Sequence, residues 1–388
     1  MRFTWITREQ ELDELRAEWH ELDDGDGPQV VFRSWEWQAT WWKMLGRSRR
    51  RELRVLVGRE DDGRPRGILP LYVEDAPIAR VIPRRRLRLL GDLTVGSDYL
   101  GLVAPRADLP HLVPRFAAQV AADPMLRKVD LFELDDVGEK DPLAEELPEA
   151  LDAAGFVDID MPQRYLCPVA DFGGDLDVYL AARPQKFGSQ IRRRRHELSR
   201  KAGFHLEVLE RPDEIVAGLD ELFRLHHTRW EGDSEAFPDP KVEDFHRVSG
   251  RLLAERGFGR LALLHLGGRP VAAGYGFLRR NRFAYYQAGL DPEWRKRSAG
   301  MVVMVELMRH AFEAGAGEFD FLRGNEGYKD TWATDVRRTV SLRARRATRS
   351  ALRAARAVAL LDELRARVKA VLPEPAVAGL RRFMRGGS

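Results

Sequence analysis

The chain has 388 residues, of which 44% are hydrophobic and 32% are charged, a composition typical of folded globular proteins. This length is too great for one ordinary hydrophobic core and fits two domains of usual size. The formal net charge of +3 is small for a protein whose main partner is nucleic acid, so charged residues act through local clusters. The single cysteine, Cys167, excludes an intrachain disulfide and any site that needs several cysteine ligands.

Residues 1–15 contain acidic side chains and no continuous apolar run, so they do not resemble a signal peptide. No later apolar run is long enough to cross a bilayer as a helix. We therefore expect a cytoplasmic protein.

Strand and helix patterns alternate through the first 165 residues and predict an α/β domain. Strands at residues 53–57 and 67–73 form a hairpin around Gly63. A hairpin at residues 260–277 has a similar Gly-Arg-Pro turn, which suggests a duplicated unit. Tryptophans at residues 35–42 invite a carbohydrate-binding interpretation, but packing of a helix on a sheet explains them more simply.

A strongly basic helix is predicted at residues 186–198, which contain four consecutive arginines. Such a run is found in nucleic-acid sites, but this one has no interleaved aromatic residues, so nucleic acid is not expected as the main partner. A solvated helix face is the alternative interpretation.

A helix predicted at residues 212–230 ends in two adjacent histidines, His226 and His227, followed closely by Arg229 and Trp230. Neighbouring side chains on a helix point about 100° apart, so the two histidines cannot chelate one metal ion alone. Either could act as a general base near neutral pH, or could cap the helix, whose C-terminal end favours positive charge. No zinc, P-loop or serine-hydrolase motif occurs, and we expect no metal site.

A strand at residues 283–290 is followed by a cationic loop, a helix and a second strand at residues 318–322. The unpaired N–H groups at a helix N-terminus can hold a pyrophosphate, and basic residues stand just before this helix; a solvated surface is the alternative. The candidate residues are Arg295, Lys296, Arg297, Ser298, Ala299 and Gly300.

The segment from Asp320 to Trp332, DFLRGNEGYKDTW, resembles the DFxxGxxxYKxxW signature of an acetyltransferase-like branch of the GNAT superfamily. That branch is named after cellulose-biosynthesis proteins and is related to the Fem peptidyltransferases. Residues 225–230, LHHTRW, resemble its LHxxRW motif, and residues 186–195 resemble its basic helix. The resemblance covers residues 179–342. Where the family has Ser-Pro-Gly before the central helix, this chain has Ser-Ala-Gly, and the superfamily's pyrophosphate loop is matched only in part.

The resemblance implies an α/β fold of tandem GNAT-like (acyl-CoA N-acyltransferase) domains, with mixed central sheets flanked by helices. The expected domains are residues 1–165, residues 166–346, which carry the site, and a basic helical tail at residues 347–388. The implied activity is transfer of an acyl group from acyl-CoA, first of all acetyl-CoA, to an amine, or less readily a hydroxyl, of a cell-envelope or polysaccharide precursor. Two alternatives stay open: a Fem-like transferase that uses aminoacyl-tRNA, and a non-catalytic accessory protein that binds a sugar or a partner.

The resemblance also implies roles for individual residues. Asp320 would attract or deprotonate the attacking ammonium, with His226 as its competitor. Tyr328 lies where the superfamily's thiolate-protonating tyrosine is found, and Lys329 would bind a substrate phosphate or the developing oxyanion. Structural roles for Asp320, in an ion pair with Arg323 or Lys329, and for Tyr328 are the alternatives. The residues expected to bind the acceptor are Lys186, Arg192, Arg229, Trp230 and Lys329.

The tail is rich in arginine and carries an apolar stripe at helical spacing, formed by Leu361, Leu364, Val368 and Val371. Such a helix can lie on an anionic membrane surface. The alternative is that it packs on its own domain or on a second subunit.

Overall fold

A computed structural model describes residues 1–24, 30–78, 82–92, 94–183, 187–230, 236–324, 327–348, 351–353, 355–360 and 363. Within these residues, one mixed sheet of 13 strands is flanked by eleven α-helices. The strands are β1 (Arg2–Ile6), β2 (Arg51–Arg59), β3 (Pro65–Asp75), β4 (Arg85–Leu89), β5 (Leu131–Gly138), β6 (Phe156–Asp160), β7 (Gln163–Asp171), β8 (His205–Leu209), β9 (Gly259–Leu266), β10 (Arg269–Arg279), β11 (Arg282–Leu290), β12 (Glu318–Asp320) and β13 (Asp335–Arg346). The helices are α1 (Glu9–Glu14), α2 (Arg16–Asp24), α3 (Trp35–Trp41), α4 (Leu109–Ala122), α5 (Pro142–Ala153), α6 (Leu176–Ala181), α7 (Phe187–Ser199), α8 (Pro212–Trp230), α9 (Pro240–Glu255), α10 (Ala299–Glu313) and α11 (Tyr328–Trp332).

The strand order contains the same unit twice. Strands β1 to β4 are antiparallel neighbours, and β5 pairs parallel to β4. Strands β8 to β11 repeat this arrangement, and β12 pairs parallel to β11. A crossover containing a helix joins each parallel pair, α4 in the first half and α10 in the second. The predicted fold class, α/β with GNAT-like halves, is confirmed.

Strands β7 and β13 join the two units at the centre of the sheet, between β5 and β12. β13 follows the second unit in the chain, yet it pairs with β5 and β6 of the first. The expected domain boundary after residue 165 falls within β7. Because one sheet runs through both units, the domain limits stay a prediction.

The tryptophan-rich helix α3 packs between the two halves. Ser34 caps it by accepting a hydrogen bond from the backbone of Trp37. The ring of Trp37 is fully buried and meets Phe245 of α9 and Phe277 of β10 edge to face, at centroid distances of 4.9 and 5.8 Å. Its indole is therefore a core residue, as the packing interpretation predicts.

The parallel pairing of β11 and β12 is short, and the two strands then separate. They pair only from Arg282 with Glu318 to Ala284 with Asp320. Beyond this point β11 continues along β10, where a β-bulge occurs: Tyr275 pairs with Gln287, and Gly276 pairs with Tyr285. The residue left over in β11 is Tyr286, and an opening forms between the strands.

The corresponding opening in the first half is filled by the chain itself. β4 and β5 pair at only two positions, and residues 97–103 then occupy the space between them. Leu100 bridges to Val137 of β5, and Val103 bridges to Ile68 of β3. The two halves therefore share a topology but differ in whether this opening is accessible.

The cationic loop predicted before α10 is a 3-10 helix, Pro292–Arg297. Asp291 caps it through the backbone N–H of Glu293, and Pro292 takes the first helical position. Most of the basic tail lies outside the described residues, and so does the whole of its apolar stripe, Leu361, Leu364, Val368 and Val371. In the part of the chain that the structure covers, every helix is too short or too polar to span a bilayer.

Candidate functional site

A cleft of about 880 Å³ opens where β11 and β12 separate. Both halves of the molecule form its walls. The first half contributes the loop from Thr94 to Gly96, and the second contributes Tyr286 and Gln287 of β11. Strand β7, the turn after β12 and the short helix α11 also line it, as do Asp136 of β5, Ala236 and Val336 of β13. The cleft is therefore a candidate active site that neither half would form alone.

Unusual backbone conformations cluster around the cleft. Positive φ angles, which residues other than glycine rarely adopt, occur in three lining residues: Thr94 (55°), Asp136 (62°) and Leu322 (55°). Tyr99, which lies behind the lining, has a φ of 60°. Such conformations tend to persist at functional sites, where surrounding contacts enforce them. Their grouping here supports the assignment of the cleft as the site.

The bulge in β11 is held by a half-buried tyrosine and a fully buried histidine. The hydroxyl of Tyr286 donates to the carbonyl oxygen of Val95 at 2.5 Å and lies 3.2 Å from Nε2 of His246. Burial lowers the pKa of His246 to about 3, so its ring is neutral. Its Nδ1 has no hydrogen-bond partner among the described residues. Nε2 therefore carries the proton and donates to Tyr286, which fixes the bulge from both sides.

Arginine side chains on one wall of the cleft are tied into a buried network of carboxylates. Nε of Arg323 donates to Asp98 at 2.8 Å, and its Nη2 lies 3.1 Å from Asp136. Nε of Arg164 donates to the other oxygen of Asp136 at 3.0 Å. The guanidinium of Arg323 also lies over the ring of Tyr165, 4.2 Å from its centre. Burial raises the pKa of Asp98 to about 6, although Arg323 opposes this shift.

Asp320 ends β12 but is fully buried and does not line the cleft. One oxygen accepts from the backbone N–H of Leu322 at 2.8 Å, and the other accepts from the hydroxyl of Tyr99 at 2.9 Å. Nη1 of Arg337 lies 3.5 Å from that second oxygen. Burial raises the pKa of Asp320, while the hydrogen bonds and the arginines Arg282 and Arg337 oppose this. The ion-pair partner of Asp320 is therefore Arg337, rather than the Arg323 or Lys329 expected from the sequence.

The other signature residues lie in the turn and helix that follow. Tyr328 is the first residue of α11, with 37% of its surface exposed. Lys329 is buried, and its Nζ donates to the carbonyl oxygen of Arg323 at 2.9 Å. Lys329 thereby supports the turn that carries Arg323 to the cleft.

His226 lies on α8, beneath the strand that borders the cleft. It is buried, with Nδ1 3.2 Å from the carbonyl oxygen of Ala288 in β11 and its ring 4.9 Å from that of Phe237. Arg229 and Trp230 end the same helix, but their side chains lie outside what the structure describes, as does the whole of Lys186.

The proposed pyrophosphate residues follow directly after β11. The side chains of Arg295, Lys296 and Arg297 are exposed, Ser298 has a φ of 58°, and α10 begins at Ala299. The basic helix α7 packs beside α10, since Arg195 lies 3.7 Å from Glu306. The exposed Arg192 therefore lies on a helix that neighbours α10, the helix whose N-terminus is the proposed pyrophosphate site.

Several residues of the cleft escaped the sequence analysis, chiefly those from the first half. The two adjacent tyrosines in FAYYQAGL break the usual alternation of a strand and could have indicated the bulge at Tyr286. By contrast, Asp98, Tyr99 and Asp136 belong to segments without any recognisable motif. Only the fold shows that they meet Arg323 and Asp320.

Comparison with known proteins supports this architecture. Residues 185–330 match a family model described as an acetyltransferase (GNAT) domain. The whole fold is similar to the crystal structure of FemX, with a TM-score of 0.58 and 15% identity over 88% of this chain and 97% of that one. A conserved protein of unknown function from Bacteroides thetaiotaomicron gives a TM-score of 0.54 and 13% identity, over 88% of this chain and 99% of that one.

A third similar structure is the C-terminal domain of a protein from Agrobacterium fabrum described as a lysylphosphatidylglycerol synthetase. Its TM-score is 0.50, with 14% identity over 92% of this chain and 97% of that one. At such identities the likeness shows a shared fold. No curated protein matches the chain in sequence. On the match of residues 185–330 to an acetyltransferase domain, the protein is an enzyme of the N-acyltransferase type.

Proposed function

We propose that the protein transfers an acyl group from acyl-CoA, with acetyl-CoA as the first candidate, to an amine of a cell-envelope or polysaccharide precursor. A hydroxyl is the second candidate acceptor. The observation that carries the proposal is the cleft at the separation of β11 and β12, in a fold where β11 leads through three exposed cations into helix α10. Such a place suits a donor with an extended chain and a pyrophosphate.

The donor would be held at two places. The free N–H groups of α10, its dipole and the cations Arg295, Lys296 and Arg297 would stabilise the pyrophosphate, with Ser298 to Gly300 forming the turn. Beyond Ala284 the edge of β11 no longer pairs with β12, so its backbone groups are available to an extended amide-containing chain. The amides of the pantetheine arm match this requirement.

The reaction would take place near the bulge. The amine of the acceptor loses a proton and attacks the thioester carbonyl, the C–S bond breaks, and the leaving thiolate takes up a proton. A bulge leaves a backbone group unpaired, and an N–H at Tyr286 would stabilise the oxyanion of the tetrahedral intermediate. Asp320, His226 and Tyr328 stay our candidates for proton transfer, and the exposed Tyr328 suits direct protonation of the thiolate. Asp320 and His226 are buried and would act through hydrogen-bonded neighbours.

An aminoacyl-tRNA donor is the second candidate. The exposed arginines of α7 and the cations before α10 lie on adjacent helices, and together they would suit a larger anionic donor than CoA. The likeness of the fold to the FemX structure is compatible with this alternative. A non-catalytic accessory role would show itself as donor or sugar binding without turnover.

Calorimetric titration with CoA and acetyl-CoA tests the proposal. We expect dissociation constants of roughly micromolar order, within the range usual for enzyme substrates. Arg297→Glu reverses a charge at the α10 N-terminus and should weaken binding at least about tenfold, because it removes one charge-assisted contact and adds repulsion.

The matched control is Arg115→Glu, a charge reversal at an exposed arginine of α4 in the other half. It should bind CoA like the wild type. Absence of CoA binding to the folded wild-type protein would reject the acyl-CoA donor, and the same titration with aminoacyl-tRNA would then test the second candidate.

A further inference from the structure

Two arginines on one wall of the cleft are joined by a single carboxylate. The two oxygens of Asp136 are divided between Nε of Arg164, at 3.0 Å, and Nη2 of Arg323, at 3.1 Å. Arg164 also lies 3.4 Å from Asp135. The two guanidinium groups therefore sit side by side at a fixed spacing along the lining of the cleft.

Arg323 is held more firmly than an ordinary surface arginine. Its Nε and its backbone N–H both donate to Asp98, at 2.8 and 2.9 Å, and its Nη2 donates to the carbonyl oxygen of Ser97. The ring of Tyr165 supports the plane of its guanidinium at 4.2 Å. A guanidinium fixed in this way loses little conformational freedom when it binds a ligand.

The charges of this wall are layered. The side chains of Arg164 and Arg323 are 23% and 20% exposed, whereas those of Asp135, Asp136 and Asp98 are 4%, 1% and 0% exposed. The carboxylate groups are thus almost fully covered, even that of the lining residue Asp136, whereas the two guanidinium groups keep exposed surface at the cleft. Among the described residues, none of these contacts uses Nη2 of Arg164 or Nη1 of Arg323, so both groups can donate to a ligand.

We propose that Arg164 and Arg323 bind an anionic group of the acceptor, either a carboxylate or a phosphate. Paired planar guanidinium groups recognise the oxygens of both through parallel, charge-assisted hydrogen bonds. Asp330 is exposed on the same lining and would receive the ammonium that becomes the nucleophile. The acceptor would then carry both an amine and an acidic group. This inference rests on the proposed acyl transfer, since it assigns the group to the acceptor of that reaction.

Ligand-observed NMR titration with two small probes, phosphoethanolamine and β-alanine, tests the inference, with ethanolamine as the probe that lacks an anionic group. We expect wild-type protein to bind at least one acidic probe more tightly than ethanolamine. Arg164→Gln should weaken that binding at least about tenfold, because it removes a charged donor, and should leave ethanolamine binding unchanged. Arg115→Gln, an arginine of the other half, is the matched control.

The outcome also identifies the anionic group, because preference for phosphoethanolamine indicates a phosphate and preference for β-alanine indicates a carboxylate. Equal binding of the acidic probes by wild type and Arg164→Gln would overturn the inference, as would failure of both probes to bind wild type up to their solubility. If Arg164→Gln does not fold, Arg164→Lys is the second variant. It keeps the positive charge but lacks the planar, paired N–H donors of the guanidinium, so it should bind the acidic probes with an affinity between that of wild type and no binding.

The anion site and the acyl-CoA donor can fail separately. CoA binding should persist in Arg164→Gln, because the proposed pyrophosphate residues lie at the α10 N-terminus. Probe binding that depends on Arg164, in a protein that does not bind CoA, would keep the anion site and reject the donor. If the protein binds CoA and binds the acidic probes equally well with and without Arg164, the acyl-CoA donor is kept and the anion site is rejected.

Discussion

At the scale of single residues, the carboxylate of Asp98 lies in a position where its ionisation costs stability. It is fully buried against Arg323, and burial raises its pKa to about 6. An ionised carboxylate is kept there because Arg323 needs a partner. That arrangement positions the arginine at a cost in stability near neutral pH.

The pH dependence of unfolding should reveal this cost. An unfolded aspartate titrates near pH 3.9, so between about pH 4 and pH 6 the folded protein binds more protons at Asp98 than the unfolded chain does. Stability from this group is therefore lost as the pH rises through that window. Asp98→Asn should abolish this contribution. As the pH rises from about 4 to about 6, the free energy of unfolding of the variant should therefore fall less than that of wild type, and the difference between the two losses should reach up to roughly 3 kcal/mol.

Urea unfolding at several pH values between 4 and 7 measures the difference. Asp62→Asn, at an exposed turn position between β2 and β3, is the control and should keep the wild-type pH dependence. Parallel pH profiles for wild type and Asp98→Asn would contradict the assigned pKa.

At the scale of elements, strands β10 and β11 approach each other closely beside the bulge. A Cβ added to Gly276 in β10 would lie 2.4 Å from the carbonyl oxygen of Ala284 and 2.6 Å from the ring of Phe283. Both neighbours belong to β11 at the last point where it pairs with β12. Glycine is therefore required at this position by space.

Gly276→Ala should destabilise the protein by about 1–3 kcal/mol, the usual cost of forcing extra volume into a packed site. The matched control is Gly259→Ala in the neighbouring strand β9, where the nearest atom to the new methyl is at 3.5 Å. Thermal unfolding of both variants measures the effect. If the Gly276→Ala protein were as stable as the Gly259→Ala protein, strands β10 and β11 could move apart at Gly276 without cost, contrary to this prediction.

The elements were largely predictable from sequence, but the contacts of the site were not. The hairpins, the helix after the cationic turn and the strand that ends at Asp320 follow from local periodicity and capping, which neighbouring residues determine. The hydrogen bond from Tyr99 to Asp320 joins residues 221 positions apart. No local pattern specifies such a contact, so the sequence could not show that Asp320 is fully buried.

At the scale of the whole molecule, the two halves share a sheet and a core. β13 pairs with β5 and β7, Arg279 of β10 forms a buried ion pair with Asp23 of α2 at 2.9 Å, and Trp37 packs across the junction. Buried contacts of this kind couple the two halves, because separating them would expose apolar surface to water.

We therefore expect one cooperative unfolding transition in urea. Fluorescence reports mainly on the first half, which holds six of the nine tryptophans, whereas far-UV circular dichroism reports on both halves. The two signals should give coincident transitions. Separate midpoints would show that the halves fold independently and would favour the domain limits expected from the sequence. The six tryptophans of the first half are Trp5, Trp19, Trp35, Trp37, Trp41 and Trp42.

The opening that is filled in the first half has a consequence for the second half. Residues 97–103 occupy the space between β4 and β5, and the same segment supplies Asp98 to Arg323 and Tyr99 to Asp320. The segment that fills the opening of the first half thus supports the candidate site of the second half. A substitution that displaced residues 97–103 from the first half is therefore expected to disturb the site in the second half as well. The sequences of the two halves are constrained together.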